Sequence, residues 1–148
     1  MITVEKADAV DVMYFVTHIR PKDAEEVFYC TGCHIEDMIG DIFVQNPQAI
    51  KCDGRLIGLG GWYELPETRK DNGVCGWILL TTDVEKHKMA FLKWSKKYVD
   101  NLLKTYNYIE NDVYRGNKLH IDYLKWLGAK FKPLLKRKEF LRFRIERR

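Results

Sequence analysis

The stretch that decides the fold opens with Trp77-Ile78-Leu79-Leu80-Thr81-Thr82-Asp83 and closes with Lys125-Trp126-Leu127-Gly128-Ala129-Lys130-Phe131. Its opening run is apolar and shows little polar alternation, which is typical of a strand buried on both faces. We therefore predict a strand over residues 74–81. The closing run ends in a glycine, which suits the left-handed residue that terminates a helix.

Between these two runs the spacing predicts a long helix, a second strand and a short helix. Aromatic and leucine side chains recur at helical spacing over residues 83–106, and lysines cover the opposite face. Asp83 is expected to cap this helix. The second strand is predicted over residues 108–114 and the short helix over residues 117–127, with Asn117 as its N-cap.

Working outward, a hairpin is the clearest local signal. Asp53-Gly54 tolerates the positive φ angles of a two-residue turn between apolar arms, and glycines in the second arm, such as Gly58, predict a bulge or a close backbone approach. In chain order the remaining predicted elements are a strand over residues 2–4, helices over 8–19, 22–29 and 35–43, hairpin arms 49–52 and 55–63, a polar loop over 64–73, and strands around 131 and over 140–145.

This order predicts an α/β fold, a mixed central sheet flanked by helices on both faces. The chain has 148 residues, 46% of them hydrophobic and 31% charged, so we expect one domain over residues 1–148. It has no apolar run of membrane-spanning length, and its N-terminus lacks the pattern of a secretory signal. We therefore expect a cytoplasmic protein with reduced cysteines and no membrane partner.

The formal net charge of +4 is unevenly distributed. Residues 130–148 carry nine Lys or Arg against Glu139 and Glu146, a net charge of +7, which leaves −3 for the rest of the chain. Within this region, however, apolar residues alternate with Arg142 and Arg144 as in a half-buried strand. The pattern favours the solvated face of a terminal strand over a nucleic-acid contact.

Several stretches resemble the GNAT fold of the acyl-CoA-dependent N-acetyltransferases, and more closely the small GNAT-like proteins of T7-like short-tailed phages. Some of those phage proteins are internal core or virion proteins and others are acetyltransferases. The stretches that carry the resemblance are Ile19-Arg20-Pro21-Lys22-Asp23-Ala24-Glu25-Glu26-Val27, Trp77 to Asp83, His87-Lys88-Met89-Ala90-Phe91-Leu92, and Asn117 to Phe131.

The resemblance implies an acetyl-CoA site. Its pantetheine arm would lie along the strand Trp77-Ile78-Leu79-Leu80-Thr81, and its pyrophosphate at a helix N-terminus. The family's phosphate loop reads Arg or Gln, two residues, Gly, one residue, then Gly or Ala. Glu85-Lys86-His87-Lys88-Met89-Ala90 matches it only at Ala90. Lys86, His87 and Lys88 are candidate anion ligands, although the missing glycine slightly favours a solvated helical turn without cofactor. Asn117 is a further candidate contact, with the N-cap role preferred.

The resemblance also implies a catalytic acid four residues before Gly128, where this chain has Leu124. Tyr123 is adjacent, but one residue along a helix is a rotation of about 100°, so its packing as a core aromatic is preferred. Glu64, at a strand end, is the candidate general base. Glu110 and Asp112 are the alternatives.

Cys30-Thr31-Gly32-Cys33-His34 matches the c-type haem attachment pattern. Haem attachment requires an exported chain and a second axial ligand in a small helical domain. The sequence indicates neither, so we do not expect haem. Zinc would need a fourth ligand from Cys52, Cys75, His18 or His120, so we prefer two partly buried thiols around a turn and expect no metal. The set Trp62, Trp77, Trp94 and Trp126 is expected in the core.

Two functions remain open from the sequence. The first is N-acetyl transfer from acetyl-CoA to an amine on a small molecule or a protein. The second is a non-catalytic role on the same scaffold, in virion assembly or in binding a host protein. A nucleic-acid role for the basic C-terminus is the weakest of the three hypotheses.

Overall fold

Seven strands and six helices make up the fold of residues 1–147, which a computed structural model describes. In chain order they are β1 (Ile2–Lys6), α1 (Ala9–His18), α2 (Pro21–Thr31), α3 (Ile39–Val44), β2 (Gln48–Cys52), β3 (Arg55–Tyr63), α4 (Pro66–Arg69), β4 (Gly73–Leu80), α5 (Lys88–Thr105), β5 (Tyr108–Tyr114), α6 (Lys118–Trp126), β6 (Lys130–Pro133) and β7 (Phe140–Glu146). Two 3₁₀ turns lie at Ile35–Asp37 and Thr82–Lys86.

The predicted α/β class with a mixed sheet and flanking helices is confirmed. Contacts divide the chain into two compact units, residues 1–61 with 78–95, and residues 62–77 with the chain from Lys96 onward. The single domain over residues 1–148 stays a prediction. No helix within residues 1–147 combines the length and the apolar character needed to cross a membrane.

In the first unit, β2 pairs antiparallel with both β1 and β3. The hairpin turn forms as predicted, with φ of 50° at Asp53 and 81° at Gly54. The β2–β3 register shifts between Ile50 and Lys51, and a Cβ on Gly58 would lie 2.8 Å from the Leu79 carbonyl oxygen. Both the predicted bulge and the predicted close approach are therefore present. The core of this unit includes Val12, Phe15, Ala49, Ile50, Ile57 and Leu59.

Capping residues explain where the first two helices begin and end. Asp8 caps α1 in a reciprocal pair with Asp11, and Pro21 is the first residue of α2, which ends at Gly32 with φ of 76°. The single helix predicted over residues 35–43 is wrong. Met38, with φ of −111° and ψ of 14°, interrupts it and leaves the 3₁₀ turn followed by α3.

The predicted start of the long helix at Asp83 is also wrong. Asp83 does not cap α5, which begins at Lys88, because residues Thr82–Lys86 form a 3₁₀ turn. The Asp83 carboxylate instead accepts a hydrogen bond from the Tyr14 hydroxyl. That hydrogen bond is the first cause of the raised pKa of Tyr14, with burial next. A partner 69 residues away in sequence thus overrides the local capping signal.

In the second unit, β4 pairs parallel with β5, β5 antiparallel with β7, and β7 antiparallel with β6. Gly128 follows α6 with φ of 95°, as predicted. The predicted polar loop over 64–73 contains the short helix α4. The core consists of Val74, Leu103, Tyr106, Ile109, Val113, Leu124, Leu127, Phe143 and Ile145.

The arginines of β7 lie on its more exposed face, as predicted, with the side chains of Arg142 and Arg144 42% and 39% exposed, and they pair there with carboxylates of β5. Arg142 Nε lies 2.6 Å from an oxygen of Asp112, and Arg144 Nη2 lies 2.9 Å from an oxygen of Glu110. Arg137 also pairs with Asp112, at 2.6 Å. Pairing with Glu110 and Asp112 of β5 therefore offsets two of the seven net positive charges of residues 130–148.

Two further expectations about burial are wrong. Trp62 and Trp126 are 46% and 48% exposed, so these two tryptophans are not core residues. Cys30 and Cys33 are exposed rather than partly buried, because they lie at the solvated end of α2 and just beyond it.

Candidate functional site

In the second unit, β4 and β5 pair along only a short part of their length. Their register runs from Gly73 opposite Tyr108 to Cys75 opposite Glu110. Within the described residues it goes no further, although β5 continues to Tyr114. At the next position the Asn111 side-chain amide donates to the Gly76 carbonyl oxygen at 3.1 Å. Within the second unit the two parallel strands therefore part after Cys75, where a side chain of β5 contacts the backbone of Gly76.

Tyr63 lies beside this parting, and no motif or spacing in the sequence selects it. Its hydroxyl interacts with the Cys75 thiol and with the Asn111 side chain. Burial first, and then Cys75, raises the pKa of Tyr63. Burial, followed by the charge of Glu110, raises the pKa of the Cys75 thiol. Both groups therefore keep their protons at neutral pH, and Tyr63 remains 38% exposed. A partly exposed neutral phenol can donate a proton.

Glu64, the candidate base, has both carboxylate oxygens bound. One accepts from the Tyr106 hydroxyl at 2.9 Å and the other from Arg69 Nε at 3.2 Å. The Tyr106 ring also packs against Trp62, with centroids 5.9 Å apart, and burial followed by Glu64 raises the pKa of Tyr106. The carboxylate is 36% exposed, so solvent or substrate can reach it once the Arg69 contact opens.

The alternative bases are held more tightly. Glu110 and Asp112 are each 15% exposed and pair with the β7 arginines. Of the three carboxylates considered from sequence, Glu64 is the most accessible.

In the first unit, the end of β4 is bound by the start of α2. The Leu80 backbone N–H donates to Asp23 at 2.6 Å, and the Arg20 backbone N–H donates to the Leu80 carbonyl at 2.9 Å. Asp23, 2% exposed, also accepts from Arg20 Nη1 at 2.7 Å. Thr81 donates its N–H to Ile57 at 2.9 Å and its hydroxyl to Leu56 at 2.8 Å. Leu80 and Thr81 thus have bound backbone groups.

The predicted phosphate loop lies on the surface of the first unit. Lys86 and Lys88 are exposed, and Lys88 Nζ lies 2.8 Å from an oxygen of Glu85. The Phe91 N–H donates to the His87 carbonyl at 3.0 Å, which begins the α5 ladder. The N–H groups of Lys88, Met89 and Ala90 are those that a helix start leaves for an anion or water. The His87 imidazole lies near Cys52 and Asp53 rather than along the lysines.

The two candidates on or beside α6 lie inside the second unit. Asn117 is fully buried and occupies the N-cap position of α6 as predicted, but its side chain makes no capping hydrogen bond. Its carbonyl accepts from the Ile121 N–H at 3.1 Å, as in an ordinary helix start. Tyr123 packs against the core, with its ring centroid 6.2 Å from that of His120. Its catalytic role stays a prediction.

Comparison with solved structures identifies the fold. The chain superposes on spermidine N-acetyltransferase from Vibrio cholerae, in complex with CoA and spermine, at a TM-score of 0.72, with 11% identity over 98% of this chain and 95% of that one. It superposes on an aminoglycoside acetyltransferase in complex with coenzyme A at a TM-score of 0.69, with 15% identity over 99% of this chain and 95% of that one. An N-acetyltransferase from Staphylococcus aureus superposes at a TM-score of 0.62, with 9% identity over 99% of this chain and 98% of that one.

Residues 70–140 match the family described as Bacteriophage T7, probable scaffold protein Gp13. No curated protein sequence matches the chain. The matched segment contains the parting of β4 and β5 and the residues of α6, whereas Tyr63 and Glu64 precede it. The chain has the fold of the GNAT acetyltransferases, and its second half is similar to a T7 phage protein family.

Proposed function

We propose that this chain is a phage-type GNAT protein that binds acyl-CoA and transfers its acyl group to an amine. The observation that carries the proposal is the early end of the β4–β5 register at Cys75 and Glu110. Strands that pair fully have no backbone groups left for a ligand, whereas strands that part leave such groups for one. The solved structures with the same fold include complexes with CoA.

The residues present fit the cofactor in two places and fit it poorly in a third. The pantetheine arm would run along Trp77 to Thr81, with Asn111 bordering its start. The N–H groups of Lys88 to Ala90, with Lys86, would face the pyrophosphate. The poor fit is at Leu80, where Asp23 and Arg20 already bind the backbone.

A bound acyl-CoA would supply a thioester that an amine can attack and a thiolate that must then be protonated. In this chain Tyr63 holds a proton at its phenol oxygen beside the parting, and Glu64 offers the most accessible carboxylate to accept one from the amine. We infer that Tyr63 is the acid in place of the predicted Tyr123. The acceptor class is an amine on a small molecule or a protein.

The test is isothermal titration of acetyl-CoA into the purified protein. We expect binding that Lys88→Glu weakens by about 10-fold, roughly the loss of one charge-assisted contact of 1.5 kcal/mol. Lys93→Glu is the matched control, since it makes the same charge change at an exposed position one turn along α5, and it should leave affinity nearly unchanged. Equal weakening by both would indicate a general charge effect and contradict the proposed loop.

A second candidate function is a non-catalytic assembly role on the same scaffold, with a virion or host protein as partner. It is supported by the bound backbone of Leu80, by the Glu85–Lys88 pair at the loop, and by the similarity to a phage scaffold family. Absence of binding heat at millimolar acetyl-CoA would exclude acyl transfer and support this function.

A further inference from the structure

A thiol, a carboxylate and an imidazole converge in the first unit, away from the parting of β4 and β5. The ligand atoms of Cys52, Asp53 and His87 all lie within 4.8 Å of one another. Cys52 is buried, Asp53 is exposed and His87 is half-buried. This arrangement combines a sulfur protected from bulk solvent with two donors that an ion can reach.

The backbone holds these three residues in place. Cys52 is the last residue of β2 and pairs with both Ile2 and Arg55. Asp53 occupies the first position of the tight hairpin turn. The His87 N–H donates to the Val84 carbonyl at 2.9 Å, and the His87 carbonyl starts the α5 ladder. Two short rigid segments thus present the donors, so binding an ion requires side-chain rotation rather than refolding.

We propose that Cys52, Asp53 and His87 form a binding site for a zinc-class divalent cation. Zinc accepts one thiolate, one imidazole and one carboxylate at bond lengths of about 2.0–2.3 Å. In tetrahedral geometry such donors lie about 3.3–3.8 Å apart, so separations of up to 4.8 Å must close by about 1.5 Å at most. A thiolate and a carboxylate carry two negative charges, which match a dication. The fourth position would hold water, as in open zinc sites.

Two contacts compete with a bound ion: the Cys52 thiol donates to the Asp53 carboxylate at 4.0 Å, and the Met1 amino group binds the same carboxylate. The Met1 amino group lies 2.8 Å from Asp53 Oδ1, so an ion must displace a single positive charge from that carboxylate. A dication with two further ligands does so readily, because the existing pair is solvent-exposed and such pairs are weak. The site adjoins the proposed pyrophosphate loop through His87, but its three donor side chains are not among the groups that we propose to hold acyl-CoA.

The side chains of Cys30, Cys33 and His34, which the sequence singled out, do not form a converging group of ligands within residues 1–147. Cys33 and His34 follow the end of α2, where the His34 ring packs against Phe28 at 4.9 Å. Among residues 1–147, the donors that converge are those of Cys52, Asp53 and His87.

The test is titration of the apo protein with Co²⁺ alone, followed by competition with Zn²⁺. We expect one equivalent of Co²⁺ to produce a near-ultraviolet thiolate-to-cobalt charge-transfer band that Zn²⁺ removes. Cys52→Ser should abolish the band. His87→Gln should weaken binding by about 100-fold or more, since even the loss of an outer-shell partner costs about 10–100-fold. Asp53→Asn, which preserves the turn because asparagine tolerates positive φ, should also weaken it.

The matched control is the double variant Cys30→Ser with Cys33→Ser, which should bind Co²⁺ like the wild type. His87→Gln and Asp53→Asn keep the test decisive if Cys52→Ser is poorly folded by circular dichroism. Absence of a band at millimolar Co²⁺ would overturn the proposal. So would a band that survives in His87→Gln and disappears in the double variant.

Discussion

At the scale of single residues, Asp23 determines how the end of β4 is held in the first unit. Its carboxylate binds a backbone amide of β4 and the Arg20 guanidinium, whose side chain is 12% exposed. A buried charge is stable only when it is paired and hydrogen-bonded, and Asp23 meets both conditions. Removal of either partner leaves the other charge in a buried position.

We predict that Asp23→Ala lowers the free energy of unfolding by about 3–5 kcal/mol, the typical cost of breaking a buried ion pair. The measurement is urea denaturation followed by circular dichroism. Glu25→Ala, on the same helix, breaks the more exposed pair with Lys22 at 3.1 Å and should cost less than about 1 kcal/mol. Similar costs for both variants would show that the Asp23 pair has no special role.

Tyr63 carries the second prediction at this scale. If the protein transfers acyl groups, Tyr63→Phe should lower kcat by about 100-fold or more, because it removes the proposed proton donor and leaves the ring in place. Tyr123→Phe should change kcat little, since that ring packs on the core. Steady-state kinetics at saturating acetyl-CoA distinguish the two. A large loss in Tyr123→Phe alone would return the acid role to α6.

At the scale of secondary-structure elements, the hairpin of β2 and β3 requires glycine at two positions. Gly54 supplies a positive φ in the turn, and Gly58 admits the carbonyl of Leu79 at a distance that a side chain would block. The local sequence specifies the turn, while the close approach involves a residue 21 positions further along the chain.

We predict that Gly58→Ala destabilises the protein by about 1–3 kcal/mol, because the new Cβ would lie 2.8 Å from backbone oxygen and the sheet must shift. Gly40→Ala is the matched control. A Cβ there meets no atom within 4 Å, and the residue lies in α3, so it should be neutral or stabilising by up to about 1 kcal/mol. Equal stability of both variants in thermal unfolding would contradict the steric argument.

At the scale of the whole molecule, the tyrosines determine behaviour at alkaline pH. Five of the eight tyrosines have raised pKa values, namely Tyr14, Tyr63, Tyr98, Tyr106 and Tyr108. Burial, and then the hydrogen bond to Asp71 at 2.5 Å, raises the pKa of Tyr108 to about 12. A group whose folded pKa lies above its unfolded value stabilises the fold fully below the unfolded value, here 10.0, and loses that contribution as the pH rises through the folded value.

We therefore predict that the free energy of unfolding falls between about pH 10 and pH 12, with about 1–3 kcal/mol of the loss due to Tyr108. Urea denaturation at pH 8 and at pH 11 measures it. Tyr108→Phe should be less stable at pH 8 but show a shallower decline, whereas the exposed control Tyr29→Phe should follow the wild type. A decline of the same slope in all three proteins would contradict the assignment.

The sequence by itself determined the order of elements and most of their bounds. The strand predicted over 108–114 matches β5 to the residue, and the Asp53-Gly54 turn and the Gly128 helix end are present as predicted. These features rest on local causes, namely side-chain periodicity and the φ preferences of single residues. The order predicted an α/β fold with a mixed sheet, and the resemblance to the GNAT fold came from the stretches between Ile19 and Phe131.

Only the tertiary structure decided the chemistry of the sites. Asp23 reaches Leu80 across 57 residues, and Tyr14 reaches Asp83 across 69. Tyr63 contacts Cys75 and Asn111. Cys52 and Asp53 lie close to His87. In both cases the partners are far apart in the sequence, and no local sequence pattern encodes such a contact. The physical reason is that such contacts depend on which strands and helices become neighbours, and a long-range contact can outweigh the local preference of either residue, as it does at Asp83.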